Sequence, residues 1–149
     1  MFDKNVLHLL TILEAAEKIQ IYSKDFPDAD SFFETKDQLN YNATINLLIA
    51  IGEESKKIDE QLRNKYDIVN WNEIAGLRNI LSHNYTGIDN EIIWDIIKNY
   101  LGSVKDCSIK LLIDLINTKQ LRANLTEILN SKYYSHIKYL TDIINNKGS

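Results

Sequence analysis

Apolar residues recur along this chain at intervals of three and four, the spacing that lines one side of an α-helix. The first stripe is the clearest. Val6, Leu9, Leu10, Leu13, Ala16 and Ile19 share a face between about Asp3 and Tyr22, which predicts a helix there. "KDFPDAD" ends it, because Pro27 lacks the amide hydrogen a continuing helix needs. A second helix is expected from "SFFE", where Ser31 and Glu34 have capping-box spacing, to about Asn64. Leu39, Ile45, Leu48, Ile51, Ile58 and Leu62 are its apolar positions. Gly52 interrupts that run. A glycine inside a helix costs about 1 kcal/mol relative to alanine, so its presence suggests that another helix approaches closely, with Glu53 at the same depth.

Asn70 and Glu73 repeat the capping pattern, and Trp71, Ile74, Leu77 and Leu81 carry a third helix to near Tyr85. Gly87 is the expected stop and Asp89 the next cap. A fourth helix then runs through Ile93, Trp94, Ile97, Tyr100, Leu101 and Val104 to about Ile116. "NTKQLRAN" reads as a polar break. The last amphipathic segment, from about Leu125 to Ile144, carries Ile128, Leu129, Ile137, Leu140 and Ile144. One proline and five glycines leave little turn chemistry for a β fold. The fold class is therefore all-α. A bundle of about five helices is expected, with residues 1–116 as its body and 117–149 as a C-terminal helical extension packed on the same domain.

Composition narrows the function. The net charge of -4 argues against broad electrostatic binding of nucleic acid, so no DNA partner is expected and any RNA contact must be local. The lone Cys107 cannot form an intrachain disulfide and reads as a small core residue. No apolar run approaches the ~18 residues of a membrane span, and nothing at the start resembles a secretion signal. A cytoplasmic location without membrane contact is the expectation. His8, His83 and His136 are far apart, and neither a Cys pair nor an HExxH spacing is present, so no metal site is expected. Neither common glycine-rich phosphate loop occurs, and no cofactor is expected. Trp71 and Trp94 read as core anchors rather than stacking platforms.

The chemistry concentrates in "GLRNILSHNY", Gly76 to Tyr85. Histidine exchanges protons near neutral pH, and arginine offers a planar cation that matches phosphate oxygens. These parts suffice for cleavage of RNA without a metal. A base takes the proton of a ribose 2′-OH, an acid protonates the leaving oxygen, and a cation stabilises the crowded phosphate. DNA lacks that internal nucleophile. Residues five apart differ by about 140° around a helix and by ~7.5 Å along it, so Arg78 and His83 do not point the same way. Arg78 and Tyr85, seven apart, nearly do. One helix supplies one histidine where the reaction needs an acid and a base, and a two-fold dimer would supply both. An isolated arginine and histidine at this spacing are also compatible with a solvated helix face and a capping histidine.

The surrounding pattern is more specific. "IGEESKKI", then "WNEIAGLRNILSHNYTGID", then "IIWDII" resembles the HepT family of HEPN-domain proteins. The resemblance rests on Gly52-Glu53, Trp71, Ile74, Gly76-Leu77-Arg78-Asn79, His83, Tyr85, Asp89 and Trp94, and extends from about Asp3 to Leu101. It implies a helical HEPN ribonuclease, the toxin of a two-gene, type VII-like toxin–antitoxin system, acting as a homodimer whose Arg-x4-His motifs meet in a cleft. Arg78 and His83 would then be catalytic, with Asn79 positioning them or the phosphate. The implied partner is a MntA-like nucleotidyltransferase antitoxin that neutralises the toxin by transferring AMP from ATP to Tyr85. Glu53 falls where HEPN proteins often place a polar residue facing the motif helix, and would pair with Arg78 or remain a solvated glutamate. A tRNA substrate follows by analogy only. The alternative of another class is a HEPN module that has lost catalysis and binds a nucleotide or a protein. Compact relatives end soon after the fourth helix, so the C-terminal extension is a departure from the family pattern.

Overall fold

A computed structural model describes residues 3–83 and 89–147. Every element among them is helical. α1 spans Lys4–Ser23 and is capped by Asp3, whose carboxylate accepts the Asn5 amide at 2.9 Å. Its expected stripe is buried, and so are Ile12 and Ala15 on the neighbouring face. The reason is that α1 is flanked on two sides, by α2 (Ala29–Lys57) and by α6 (Leu101–Leu115).

α2 departs from expectation at both ends and in the middle. Asp28, not Ser31, is its N-cap, accepting the Ser31 amide at 2.8 Å and the Ser31 hydroxyl at 2.6 Å. Aspartate caps at least as well as serine, and starting there buries Ala29 and Phe32. Further on, Thr35 is extended and Lys36, Asp37 and Gln38 have φ of 48°, 55° and 67°. The left-handed region costs a non-glycine residue roughly 1–2 kcal/mol. Contacts around the turn offset this. Asn40 donates to the Tyr22 carbonyl at 2.9 Å, and the Phe33 and Tyr41 rings meet edge-on with centroids 4.8 Å apart. The turn also redirects Leu39, expected in the core, which is 60% exposed.

The helix ends at Lys57 rather than Asn64 because α1 captures the chain. Buried Asn5 accepts the Asp59 amide at 2.9 Å and donates to the Asp59 carboxylate at 3.0 Å. Ile58 turns inward at that point. α3, Glu60–Arg63, is a separate single turn.

α4, Trp71–His83, begins as expected. The Asn70 side chain accepts the amides of Asn72 and Glu73 at 3.1 and 3.2 Å. Asn70→Ala should therefore lower stability by about 1 kcal/mol, read as an earlier urea midpoint with an unchanged slope. Asp89 caps α5, Asn90–Asp95, through the Glu91 amide at 2.9 Å. A wide π turn, Ile96–Tyr100, joins α5 to α6. The expected fourth helix is thus present, with a local widening that its sequence pattern does not announce.

The C-terminal segment is folded differently from its pattern. "NTKQLRAN" is not a break: Thr118 caps the Leu121 amide at 3.1 Å and opens α7, Lys119–Ile128. The expected helix from Leu125 to Ile144 is divided into the end of α7, a 3-10 turn at Lys132–Tyr134, and α8, Leu140–Lys147. Two bonds end the first part. Lys138 donates to the Leu129 carbonyl at 2.7 Å, and Ser131 accepts the Tyr133 amide at 3.2 Å. Leu125, Leu129, Ile137, Leu140 and Ile144 join the apolar cluster that contains α1.

A buried carboxylate fixes this segment to the bundle. Glu14, 6% exposed, accepts the His136 amide at 2.8 Å and lies 2.6 Å from His136 Nδ1. Glu14→Ala leaves a half-buried N–H unpaired, which costs roughly 1–3 kcal/mol. Chemical denaturation should show that loss, and hydrogen exchange should show it concentrated at residues 134–140.

Candidate active site

The site begins with the absence of a side chain. A Cβ at Gly52 would stand 3.0 Å from the Arg78 amide nitrogen, 3.1 Å from the Ile74 carbonyl oxygen and 3.2 Å from Arg78 Cβ. The backbones of α2 and α4 are therefore in contact at Gly52, the close approach its position suggests. The next residue is carried to the motif by the same packing. Glu53 Oε1 forms an ion pair with Arg78 Nε, and Arg78 Nη1 donates to Asn79 Oδ1 at 3.3 Å.

Arg78 and Glu53 are 40% and 39% exposed. An ion pair this solvated adds little to stability. Its consequence is geometric: two bonds from one guanidinium fix the direction of a flexible side chain that remains open to solvent. His83 is the last residue of α4, on the helix that carries Arg78 and Asn79. Tyr85 lies outside the described residues. The structure thus brings together Glu53, Arg78 and Asn79 and places the His83 backbone on their helix.

α4 is held from beneath by Trp71 and Leu81, 4% and 1% exposed. Trp94 packs on Phe32 with centroids 5.6 Å apart and lies under the Lys98 ammonium. The loop entering α4 is tied to α6. Tyr66 donates its hydroxyl to Asp114, and Lys65 meets the same carboxylate at 2.8 Å. Burial pushes the Asp114 carboxyl up, but its bonds from Lys65 and Tyr66 outweigh that and hold it below the usual range. A depressed folded pKa contributes stability above the unfolded carboxylate value of ~3.9, and that contribution is lost as pH falls through the lower folded value. The stability advantage of the wild type over Asp114→Asn, measured by urea unfolding across pH, should therefore be full at pH 6 and fade below about pH 4.

The other histidines are occupied elsewhere. His8 Nδ1 is 2.6 Å from Glu54, and His136 is held by Glu14. Among the described residues no three His, Cys, Asp or Glu side chains converge where a metal ion could sit.

A feature the sequence pattern conceals lies on the other side of α4. Between α4 and the α5–α6 helix runs an apolar groove of about 660 Å³, lined by Leu77, Ile80, Ile92, Ile96 and Tyr100. Ile80, Ile92 and Tyr100 are more than half exposed. Ile80 looks like a packing residue beside Leu77 and Leu81, yet only Leu81 is fully buried. The available signal is angular: apolar residues at 71, 74, 77 and 80 drift by about 60° per step and together span about half the helix circumference, more than one partner covers.

Comparison with known proteins gives the chain a family. The family model described as ribonuclease HepT-like matches residues 12–111. A candidate RNase of Methanocaldococcus jannaschii is 40% identical over 97 residues, covering 65% of this chain and 86% of the relative. A second from the same organism is 35% identical over 107 residues, covering 72% of this chain and 90% of that protein. A candidate ribonuclease HepT of Thermococcus cleftensis is 32% identical over 98 residues, 66% of this chain and 86% of the relative. No solved structure matches significantly.

Proposed function

The chain belongs to the ribonuclease HepT-like family, and from that premise we propose that it is a metal-independent endoribonuclease toxin working as a homodimer through Arg78 and His83. The observation that carries this reading is the guanidinium of Arg78, oriented by Glu53 and Asn79 yet open to solvent, on the helix that ends in His83. In the proposed reaction a base removes the proton from a ribose 2′-OH, and O2′ attacks the adjacent phosphorus. The bond from phosphorus to O5′ breaks and a protonated histidine supplies the proton that O5′ takes up. Arg78 stabilises the charge on the non-bridging oxygens. The products are a 2′,3′-cyclic phosphate and a 5′-hydroxyl.

Two histidines serve as base and acid if two copies of α4 face each other. The exposed apolar groove on the other side of α4 supports association of two copies, because a patch with Ile80, Ile92 and Tyr100 open to water is the kind of surface that a second copy covers. Regulation follows the same geometry. A MntA-like nucleotidyltransferase antitoxin would join the Tyr85 oxygen to the α-phosphorus of ATP, with pyrophosphate leaving. The nucleotide on Tyr85 then occupies the cleft, and its phosphate competes with substrate for Arg78.

The experiment is intact-mass analysis and RNA cleavage on the same sample, before and after incubation with the antitoxin and ATP. Added mass of one or more AMP units with loss of cleavage is expected. The same addition on Tyr85→Phe would remove the regulatory assignment, and no cleavage by the unmodified protein would favour a binding module instead.

A further inference from the structure

Charge is divided unevenly along this chain. Residues 117–149 hold Lys119, Arg122, Lys132, Lys138 and Lys147 against Glu127 and Asp142, a net of +3, so the first 116 residues carry -7. A polyanionic substrate approaching the Arg78 site meets a body of its own sign, and the positive excess lies in the segment beyond the family match at residue 111. We propose that the C-terminal segment is a second RNA-contact surface, in which Tyr133 stacks on a base of the substrate strand while Lys119 and Lys132 meet its phosphates. This rests on the ribonuclease reading and extends it to a place on the molecule distant in sequence from the motif.

The side chains in this segment sort themselves into two groups. Tyr134 and Tyr139 are turned toward the bundle: Tyr139 donates to Glu17, and burial raises the pKa of both phenols. Tyr133, beside the inward-turned Tyr134, is 74% exposed. Its backbone is fixed by the Ser131 cap, so the ring stands out from a defined turn rather than a loose tail. The Lys132 ammonium lies 5.9 Å from the centre of that ring. An open aromatic face next to a cation is the arrangement on which bases of single strands stack without regard to sequence.

The cations sort in the same way. Arg122 and Lys138 are engaged by main-chain carbonyls, of Ile116 and Leu129. Lys119, the first residue of α7, and Lys132, in the 3-10 turn beyond its end, are both exposed. Glu127 is the exposed carboxylate of α7.

The test measures binding of the full-length protein to a fluorescent single-stranded 2′-O-methyl RNA, which has no free 2′-OH to react. Tyr133→Ala should weaken binding about tenfold, whereas Tyr133→Phe, which keeps the ring, should stay within about twofold. Lys119→Gln with Lys132→Gln should lower the slope of log K against log salt by about 1.4. Equal affinity and slope in all variants would overturn the proposal, as would no binding by the wild type. Normal RNA binding with lost association to the nucleotidyltransferase would overturn it too, and would make this a protein-docking face. Cleavage of unmodified RNA is scored separately. Cleavage with binding insensitive to Tyr133 removes this inference alone, and Tyr133-dependent binding without cleavage removes the ribonuclease reading alone.

Discussion

His83→Ala should lose RNA cleavage by a factor of about 10² to 10⁴, the usual contribution of a positioned general acid or base. In a homodimer one substitution removes both imidazoles, so the loss should fall at the upper end of that range. Stability should change little by comparison, because His83 is the terminal residue of α4, after the buried Trp71, Ala75 and Leu81 that hold the helix. Arg78→Ala should cost a comparable factor through loss of phosphate stabilisation, with Arg78→Lys recovering only part of it because an ammonium cannot reproduce the planar fork. Cleavage rates with substrate in excess, together with circular dichroism and a thermal midpoint for each variant, check the prediction. An unchanged rate for folded His83→Ala would remove the histidine from the mechanism.

Gly52→Val should produce the second large effect, and through a different route. Alanine already places its Cβ 3.0 Å from a backbone nitrogen and 3.1 Å from a carbonyl oxygen of α4. Neither atom can rotate away, so the helices must separate. The two further methyl carbons of valine widen the gap, at an expected cost of roughly 1–3 kcal/mol. The same displacement parts Glu53 from Arg78, and misplacement of about 1 Å at such a site can cost some 10²-fold in rate. Glu53→Gln provides the contrast. It should leave stability nearly unchanged, because the ion pair is solvated, while lowering the rate by a smaller factor. Parallel measurement of unfolding and cleavage separates the two. A stable, fully active Gly52→Val would contradict the packing account of the site.

The parts of the fold that were legible are those set by neighbouring residues. Asn70 and Asp89 cap the helices they precede because a cap is a contact over two or three residues. Gly52 was legible as a close approach because few other causes place a glycine inside an apolar helix. What the sequence did not disclose depends on distant partners or on backbone that no special residue marks. The left-handed turn at Lys36–Gln38 contains no glycine or asparagine, and it stands on Asn40 reaching back to Tyr22. The end of α2 at Lys57 is dictated by Asn5, more than fifty residues earlier. Thr118 was hidden by its polar surroundings, although its capping geometry is ordinary. The division of the last helix depends on Glu14 and Lys138, whose bonds no periodicity reveals.

The site divides along the same line. Arg78, Asn79 and His83 stand out as a motif, and Glu53 could be suspected from its place beside Gly52. The pairing of Glu53 with Arg78 follows from the packing of α2 on α4. The open groove beside Ile80 required the neighbouring helices to be seen, because exposure of an apolar residue is a property of what fails to cover it.

The most direct test of the central claim is the chemistry of the cut ends. The purified chain is incubated with RNA in excess EDTA, and the products are analysed by mass spectrometry. Cleavage through the 2′-OH predicts 2′,3′-cyclic phosphate and 5′-hydroxyl ends, absent with His83→Ala and absent when the nucleotide 5′ to the cut is 2′-deoxy. Ends bearing 3′-hydroxyl and 5′-phosphate, or cleavage that appears only with an added divalent metal, would contradict it.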